Sequence, residues 1–374
     1  MAEVNVALIG YAFMGRAHSN AYRQVGPFLS PRLTPKLKVL CGRDAKAVKA
    51  AAGKLGWEET ATDWREVVAR DDIDLIDVAT PNYLHAEIAI AAAEAGKIVL
   101  CEKPLANSLE EARKMVSAVE KAGVANGVWF NYRRVPAVAF ARELIERGAL
   151  GRIFHYRAQY LQEWGTDTAR PINWKMSRAT AGSGVNGDLN SHLIDMALML
   201  AGPIREVSAV SETFIKERDI PGKPGEKHQV DIEDAVLVQA RFASGALGTF
   251  EATRFAIGYK NRNRFEIHGE RGMLAFDLED LNHLVYHDAT AEPSLRGPRR
   301  ILVTGPGHPY TANYWKPGHV IGYEHTFISA LADFRDTLDG ENEFHPNFED
   351  ALKVQQVLEA VEVSARERRW IEVG

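Results

Sequence analysis

The chain has 374 residues, of which 46% are hydrophobic and 25% are charged, and its formal net charge is -5. This composition excludes a disordered or low-complexity protein, and the length predicts two domains, because single cores stop growing at about 250–300 residues. The sequence has neither a long basic run nor the roughly 18 consecutive apolar residues of a membrane span, so we expect no nucleic-acid partner and no membrane insertion.

The cysteines and the first residues indicate the cellular compartment. Cys41 and Cys101 each end an apolar run, which predicts buried free thiols rather than a disulfide. Glu3 stands where a secretory signal would carry basic residues. We therefore expect a globular enzyme or binding protein in the reducing cytoplasm.

The N-terminal part of the chain alternates short β-rich runs with helical periodicity. Predicted strands lie at 4–9, 37–41, 75–79 and 98–101, and predicted helices at 14–25, 45–55 and 84–95. Strands that are each followed by a helix are typical of parallel βαβ units, whose right-handed crossovers place helices on both faces of the sheet. We expect a doubly wound α/β domain over residues 1–125.

From about residue 126 the pattern changes to strand-like segments with few helices between them. Predicted strands lie at 153–161, 207–214, 235–242, 246–252 and 264–268, and predicted helices at 137–147 and 189–200. Neighbouring strands joined by glycine-containing turns predict an open, largely antiparallel sheet within an α+β domain over residues 126–374. The Pro/Gly-rich segments 221–226 and 292–322 are predicted to be loops.

The segment between the first predicted strand and helix, Gly10–Gly15, has the form G-x-A-x-x-G. The first glycine permits a tight turn, Ala12 keeps the backbone close to a pyrophosphate, and Gly15 lets the helix pack closely on the strand. At the first βα junction this pattern favours a dinucleotide-binding Rossmann domain over a merely structural turn. The expected cofactor contacts are Gly10, Ala12, Phe13, Met14 and Gly15.

The end of the second predicted strand, Cys41-Gly42-Arg43-Asp44, leaves the choice between NAD and NADP open. Gly42 cannot accept a hydrogen bond from the ribose 2′-hydroxyl, as a carboxylate at this position would. Arg43 can stack on adenine or pair with a 2′-phosphate. Asp44 can reach the ribose or act instead as the N-cap of the next helix. We expect both Arg43 and Asp44 beside the cofactor.

Lys103 follows the predicted strand 98–101, at the edge where ligands bind in open parallel sheets. A lysine after a strand is usually a solvated surface charge, but the flanking Glu102 and Pro104 set this one apart. We therefore expect Lys103 near the nicotinamide end of a bound dinucleotide.

Asp188 and His192 are four residues apart in a predicted helix, so their side chains share one face. Seen alone, such a pair is more often an N-cap and a packed histidine than a catalytic pair. Asp195 extends the pattern to D-x-x-x-H-x-x-D, but one histidine and two carboxylates would be an unusual zinc site. We expect no metal, and we expect Asp195 to support the pair or lie on the helix surface.

Four segments together resemble the glucose-fructose oxidoreductase/inositol dehydrogenase (Gfo/Idh/MocA) family. They are Gly10–Gly15, Ala79–Asn82 with His85, Glu102–Pro104 and Gly182–His192. The resemblance covers essentially the whole chain, and segments 130–134, 162–164 and 317–325 are most similar to the sugar-oxidising members. It implies an NAD(P)-dependent oxidoreductase acting on a secondary hydroxyl of a sugar, anhydrosugar or inositol, with NAD slightly favoured.

The resemblance also implies roles for individual residues. Lys103, Asp188 and His192 would gather around the hydroxyl that is oxidised. The cofactor contacts that it adds are Thr80, Asn82, His85, Glu102, Lys103 and Trp174. The expected substrate contacts are Tyr132, Gln162, Trp164, Asp188 and His192. Asn82 can also cap the helix that begins near residue 84, and this is compatible with a cofactor contact.

We expect reversible hydride transfer between nicotinamide and a carbinol carbon, with His192 as the base that takes the hydroxyl proton. Lys103 would hydrogen-bond the same oxygen or itself carry the proton. Two alternatives stay open: a redox-neutral lyase or glycosidase with a retained nicotinamide, and a non-catalytic sensor of cofactor or sugar. An exposed sheet face in the C-terminal domain predicts a homodimer or homotetramer.

Overall fold

The computed structural model describes residues 2–29, 33–223, 225–338 and 343–374. Contacts divide the chain into two compact units, one made of Met1–Arg134 and Gly322–Lys353 and the other of Val135–Ile321 and Val354–Gly374. The first unit therefore includes a C-terminal segment that lies beyond the boundary predicted at 125/126. The reason is that the helix Tyr323–Thr337 packs against the first helix of the chain.

The first unit contains a parallel sheet with helical crossovers. Its strands are β1 (Ala2–Ile9), β2 (Leu33–Cys41), β3 (Glu59–Ala61), β4 (Leu75–Val78), β5 (Ile98–Cys101) and β6 (Asn126–Val128). Its first helices are α1 (Phe13–Leu29), α2 (Ala45–Leu55), α3 (Trp64–Val68), α4 (His85–Glu94) and α5 (Leu109–Ala122). Within the described residues the six strands are all parallel, in the order β3-β2-β1-β4-β5-β6. This confirms the predicted doubly wound domain.

Local sequence explains where these elements begin and end. Asp44 caps the N-terminus of α2, and Gly56 ends this helix in the left-handed region with a φ of 85°. Ser108 caps the N-terminus of α5, because its side chain accepts the N–H of Glu111. All four residues of β4 are buried, as expected of a strand in a parallel sheet that is covered on both faces. Asp77 is the one charged residue of that strand.

The second unit contains a large mixed sheet. Its strands are β7 (Ile153–Leu161), β8 (Ile204–Glu212), β9 (Glu217–Asp219), β10 (Lys227–Gln229), β11 (Ala235–Phe242), β12 (Leu247–Thr253), β13 (Arg262–Gly269), β14 (Gly272–Asp277), β15 (His283–Asp288), β16 (Arg299–Leu302) and β17 (Ile371–Glu372). Its helices include α6 (Pro136–Glu146), α7 (Arg178–Ala181) and α8 (Ser191–Ala201). Among described residues, the nine-stranded order is β16-β15-β14-β13-β7-β12-β11-β8-β17, and β9 pairs with β10 separately.

The large sheet is antiparallel except where β12 runs parallel to β7, within the part of the chain that is described. This confirms the predicted open, largely antiparallel sheet. Burial alternates along β11, so one face of this strand packs inward while the other faces solvent. That alternation is the feature that made these strands recognisable in the sequence.

Two predictions for this part of the chain were wrong in detail. The segment 292–322 is not loop throughout, because β16 adds an edge strand to β15 and its mostly exposed side chains show no apolar alternation. The helix predicted at 189–200 is preceded by a π-helical turn, Asn186–Asn190, and α8 begins at Ser191. The predicted loop 221–226 lies between β9 and β10 and includes residue 224, which is outside the described residues.

The chain ends with α9 (Tyr323–Thr337) and α10 (Phe348–Glu367). None of the helices in the described ranges is both long enough and apolar enough to cross a membrane. Cys41 and Cys101 are buried free thiols, as predicted.

Candidate active site

The glycines of the segment 10–15 are required by close backbone contacts. Gly10 has a φ of +117°, and a Cβ there would lie 2.2 Å from the carbonyl oxygen of Ala79. A Cβ on Gly15 would lie 2.3 Å from the carbonyl oxygen of Gly10. The turn therefore packs tightly against the end of β4, and α1 begins directly after it at Phe13. The N–H groups of this first helical turn can bind a pyrophosphate.

A cavity of about 570 Å³ lies at the carboxyl ends of β1, β2 and β4. Several predicted cofactor residues line it together with Tyr11 and Gly42: Gly10, Ala12, Arg43, Asp44 and Thr80. This is the sheet edge at which a doubly wound domain binds a dinucleotide. The residues present thus fit a dinucleotide.

Gly42 lies against the ring of Tyr11. A Cβ at this position would be 2.1 Å from Cε1 of that ring, so a larger side chain requires the ring to move. Asp44 caps α2, because its Oδ1 accepts the N–H groups of Lys46 and Ala47 at 2.9 Å each. Of the two roles considered for Asp44, the N-cap is therefore present.

His85 contacts two loops at the carboxyl edge of the sheet, one after β4 and one after β5. Its ring is fully buried, with Nδ1 2.9 Å from the carbonyl oxygen of Pro104 and Nε2 3.0 Å from that of Thr80. Burial lowers the pKa of His85, although both carbonyl contacts oppose this. The predicted capping by Asn82 is wrong: this residue begins a 3-10 turn, and Leu84 occupies the cap position of α4.

A second buried histidine, His18, is linked to the Lys103 backbone through Glu102. Glu102 accepts the backbone N–H of Lys103 through Oε2 at 3.0 Å, and its Oε1 is 2.9 Å from Nε2 of His18. Nδ1 of His18 is 3.0 Å from Oδ2 of Asp77. Trp129 donates its Nε1–H to the other oxygen of Asp77 at 2.9 Å, and the Tyr22 hydroxyl donates to Oδ2 at 3.0 Å. This set of side chains is called the His18 network below.

Tyr132, a predicted substrate contact, is buried in the first unit within the 3-10 helix Asn131–Arg134. Its ring meets that of Tyr323 edge to face, with ring centres 6.4 Å apart. Phe13 stacks on the same Tyr323 at 6.3 Å and is 60% exposed. Burial and the neighbouring Tyr132 and Glu102 raise the pKa of Tyr323, so this phenol stays protonated.

In the second unit, Asp188 forms an ion pair with Lys175, the residue that follows Trp174. Both carboxylate oxygens of Asp188 lie near Nζ of Lys175, at 3.0 and 2.9 Å. Nζ of Lys175 is also 5.5 Å from the centre of the Trp174 ring, which is 38% exposed. Asp188 lies in the π-helical turn 186–190, and His192 lies in the first turn of α8.

His192 belongs to a connected set of polar and aromatic side chains. Its ring centre is 5.8 Å from that of Tyr160, whose hydroxyl donates to Oδ1 of Asn261 at 2.8 Å. Gln162 donates to the same Asn261 oxygen at 2.7 Å and accepts the indole N–H of Trp164 at 2.7 Å. Three predicted site residues, His192, Gln162 and Trp164, are therefore brought together in this unit.

Trp164 is supported by a buried ion pair. The Arg254 guanidinium lies 5.0 Å from the centre of the Trp164 ring, and its Nε donates to Oδ1 of Asp234 at 2.6 Å. Nη1 of Arg254 also donates to the carbonyl oxygen of Lys175 at 3.2 Å. Arg254 thus connects the Trp164 environment with the residue that pairs with Asp188.

The expected surface position for Asp195 is wrong, because only 1% of this residue is exposed. In the ranges that the structure describes, no group of three or more His, Cys, Asp and Glu side chains has the arrangement of a metal site. Lys103 lies in the first compact unit, and Asp188 and His192 lie in the second. Their approach to a common hydroxyl stays a prediction.

Sequence reasoning missed His18 and Asp77, and it did not predict the ion pair between Lys175 and Asp188. Asp77 had a signal, because a carboxylate inside an apolar strand needs a buried partner. His18 had a weaker one, since it lies one turn of helix beyond Gly15.

Two family models match the chain. The model for the "Oxidoreductase family, NAD-binding Rossmann fold" matches residues 4–131, and the GFO/IDH/MocA C-terminal domain matches residues 138–275. The levoglucosan dehydrogenase of Pseudarthrobacter phenanthrenivorans is 42% identical over 100% of this chain and 99% of its own length.

Solved structures agree over the same length. An oxidoreductase domain protein from Kribbella flavida is 51% identical, covers 100% of both chains and has a TM-score of 0.97. A levoglucosan dehydrogenase in complex with NADH and levoglucosan is 42% identical, covers 100% of this chain and 99% of its own, and has a TM-score of 0.96.

We expect G42A to weaken NAD binding by about tenfold or more, because the added methyl group displaces the Tyr11 ring at the edge of the cavity. Combining it with Y11A removes the clash and should restore affinity to within about threefold of that of Y11A alone. Calorimetric titration with NAD measures both effects.

The matched control is G53A in α2, where a Cβ meets no described atom within 4 Å and NAD affinity should not change. Unaltered NAD affinity in G42A would show that the Tyr11–Gly42 contact does not shape the cofactor site.

Proposed function

The chain belongs to the GFO/IDH/MocA family of NAD-binding oxidoreductases, and from this premise we propose that it oxidises a secondary hydroxyl of a sugar or anhydrosugar. Levoglucosan is the first candidate substrate. The observation that carries this proposal is the 42% identity to levoglucosan dehydrogenase across 100% of the chain, which spans both compact units.

The Gly10–Gly15 turn, the start of α1 and the cavity beside Tyr11 are the parts of this chain that would bind NAD. Bound NAD supplies the hydride acceptor for oxidation of a carbinol carbon. The protein contributes position, exclusion of water and transfer of the hydroxyl proton. Arg43 and Thr80 line the cavity and would contact the adenosine and pyrophosphate parts of the cofactor.

We propose that a ring nitrogen of His192 takes the hydroxyl proton, because an imidazole titrates near neutral pH. Lys103 would hydrogen-bond the same oxygen and stabilise alkoxide character. Asp188 would orient the substrate, and its ion pair with Lys175 keeps its carboxylate in one place. Trp164 would contact the sugar ring, and the guanidinium groups of Arg254 and Arg170, 5.0 and 5.3 Å from the centre of its ring, hold the indole in place.

The direct test measures NADH formation with levoglucosan, other pyranoses and inositols, each with NAD and with NADP. We expect levoglucosan with NAD to yield one NADH per sugar oxidised, and kcat/KM to exceed that for inositols by about tenfold or more, because the sugar-binding side chains discriminate between ring shapes.

Other outcomes of that assay identify other functions. Consumption of sugar without net NADH would indicate a redox-neutral lyase or glycosidase, and sugar binding without any turnover would indicate a sensor. Either result would contradict the proposed dehydrogenase.

H192A and K103A should each lower kcat by about 100-fold or more, because proton transfer by a positioned side chain contributes roughly 10²–10⁴ in rate. Steady-state kinetics with the best substrate of the panel measures the loss. H228A and K114A alter exposed residues of the same types and should keep the full rate. Full activity in both H192A and K103A would remove these two roles.

We propose that two copies of the chain associate through the open face of the large sheet. Five of its strands, β7, β8, β11, β12 and β13, together line a shallow hollow of about 540 Å³. Val210 and Leu237 are paired across β8 and β11 in this hollow, and they are 61% and 50% exposed. Around them the charges are balanced, with Arg157 and Arg264 beside Glu251 and Glu266. A face with balanced charges and an apolar centre suits contact with its own copy.

We expect light scattering on the purified protein to give the mass of a dimer or tetramer. L237E should shift this mass toward the monomer, because it places a charge at the apolar centre of the contact. The matched control is L295E, which alters a residue that is 68% exposed and lies outside the hollow. A monomeric wild-type protein at about micromolar concentration would contradict the proposed association.

We also propose a cytoplasmic location. Burial raises the pKa of the Cys41 thiol to about 12, and Cys101 is completely buried, so both cysteines are structural. Free buried thiols are typical of proteins in reducing compartments.

A further inference from the structure

We propose that His18 is a positioning residue for Lys103. As an imidazolium, with an N–H group on each ring nitrogen, it bridges the buried carboxylates of Asp77 and Glu102. Through Glu102 it fixes the backbone at Lys103. This inference rests on the proposed role of Lys103 in the reaction.

Hydrogen bonds to both of its carboxylate oxygens fix the orientation of the Glu102 side chain. Its Oε1 is 2.9 Å from Nε2 of His18, and its Oε2 accepts the Lys103 N–H at 3.0 Å. Glu102 is 4% exposed and His18 is completely buried, so water does not compete for these bonds. Rotation of the Glu102 carboxylate therefore breaks a bond to His18, to the Lys103 backbone or to both. The position of the Lys103 backbone thus depends on the side chain of His18.

The chemistry of imidazole determines its charge in this network. A neutral histidine has one N–H donor, whereas the two ring nitrogens of His18 each face a carboxylate oxygen. Only the protonated ring donates to both Asp77 and Glu102. Two buried carboxylates without a cation between them would be costly, because charge is poorly solvated in the interior.

The surroundings of His18 favour the same protonation state. Burial lowers the pKa of His18, but the charge and hydrogen bond of Asp77, and then those of Glu102, outweigh it and raise the value from 6.5 to about 9. The other titratable groups that interact with these carboxylates include Tyr22, Cys101, Tyr323 and His85. Burial raises the pKa of the first three and lowers that of His85. The uncharged rings of Trp129 and Phe327 pack against the imidazole, with ring centres 4.3 and 5.6 Å from its own.

This protonation links His18 to the stability of the fold. The folded-state pKa lies above the unfolded value, so the stabilisation is fully present below pH 6.5 and is lost as the pH rises through about 9. The unfolding free energy of the wild-type protein should therefore fall over this interval. In H18Q, this part of the pH dependence should disappear.

A double-mutant cycle tests whether His18 acts through Lys103. H18Q should lower kcat by about tenfold to hundredfold, because small displacements of a reacting group reduce the rate by such factors. In a K103A background the same change should lower kcat by less than about threefold, since the group that His18 positions is already gone. The Kd for NADH, measured by titration, should change by less than about threefold in H18Q.

The matched control is W57F. Trp57 donates to Ser19, the neighbour of His18 on α1, at 2.9 Å and makes no bond to Asp77 or Glu102 among the described contacts. W57F should cost stability and leave kcat unchanged. A loss of kcat in W57F equal to that in H18Q would show that general damage to α1 explains the effect.

The charge state can also be measured without any variant. In the wild-type protein with NADH bound, the ¹⁵N chemical shifts of His18 should show both ring nitrogens protonated at about pH 7.5, below the pKa of about 9. A neutral ring at that pH overturns the inference even if H18Q does not fold.

The cycle separates this inference from the proposed function. Full turnover by K103A overturns the role of Lys103 and this inference with it, whereas failure of the proposed function would appear as a wild-type protein that forms no NADH. An impaired K103A with the same loss on adding H18Q overturns only the role of His18.

Discussion

Asp77 places a carboxylate inside the parallel sheet, and the neighbouring groups are arranged to stabilise that charge. It is completely buried and accepts hydrogen bonds from Trp129 and Tyr22 in addition to its contact with His18. Because burying an unpaired carboxylate would be costly, Asp77 constrains residues from α1, β4 and the segment after β6 at once. Glu102 is the remaining member, and it extends the same constraint to the end of β5.

Two buried imidazoles therefore fix the carboxyl edge of this sheet in different ways. His18 connects the carboxylates of Asp77 and Glu102, whereas His85 connects the backbone carbonyls of Thr80 and Pro104. The first has a raised pKa and the second a lowered one, because carboxylates stabilise a cation far more than carbonyl oxygens do. The loops that follow β4 and β5 are thus held by one charged and one polar contact, and both loops carry residues proposed to bind the cofactor.

Local features of the sequence were sufficient to predict the order of the main helices and strands and the Gly10–Gly15 turn. Asp44 as N-cap, the G-x-A-x-x-G turn and the alternation along β11 each depend on neighbours within a few residues. The His18 network could not be predicted in this way, because its contacts join residues 59 and 84 positions apart. The ring of Tyr11 over Gly42 is likewise a tertiary contact, although both residues lie within recognisable motifs. The packing of α9 in the first unit could not be predicted from neighbouring residues either.

Close backbone packing in the second unit explains why glycine residues precede Asp188 in the sequence. A Cβ on Gly184 would lie 2.0 Å from the carbonyl oxygen of Glu233, so the backbone can pass there only as glycine. The side chain of Glu233 accepts the N–H of Asn186 at 2.8 Å, at the start of the π-helical turn that carries Asp188. The next residue, Asp234, binds Arg254, which supports Trp164. One short segment before β11 therefore constrains both the carboxylate and the aromatic ring that we assign to the substrate, and a change there would disturb both without touching either.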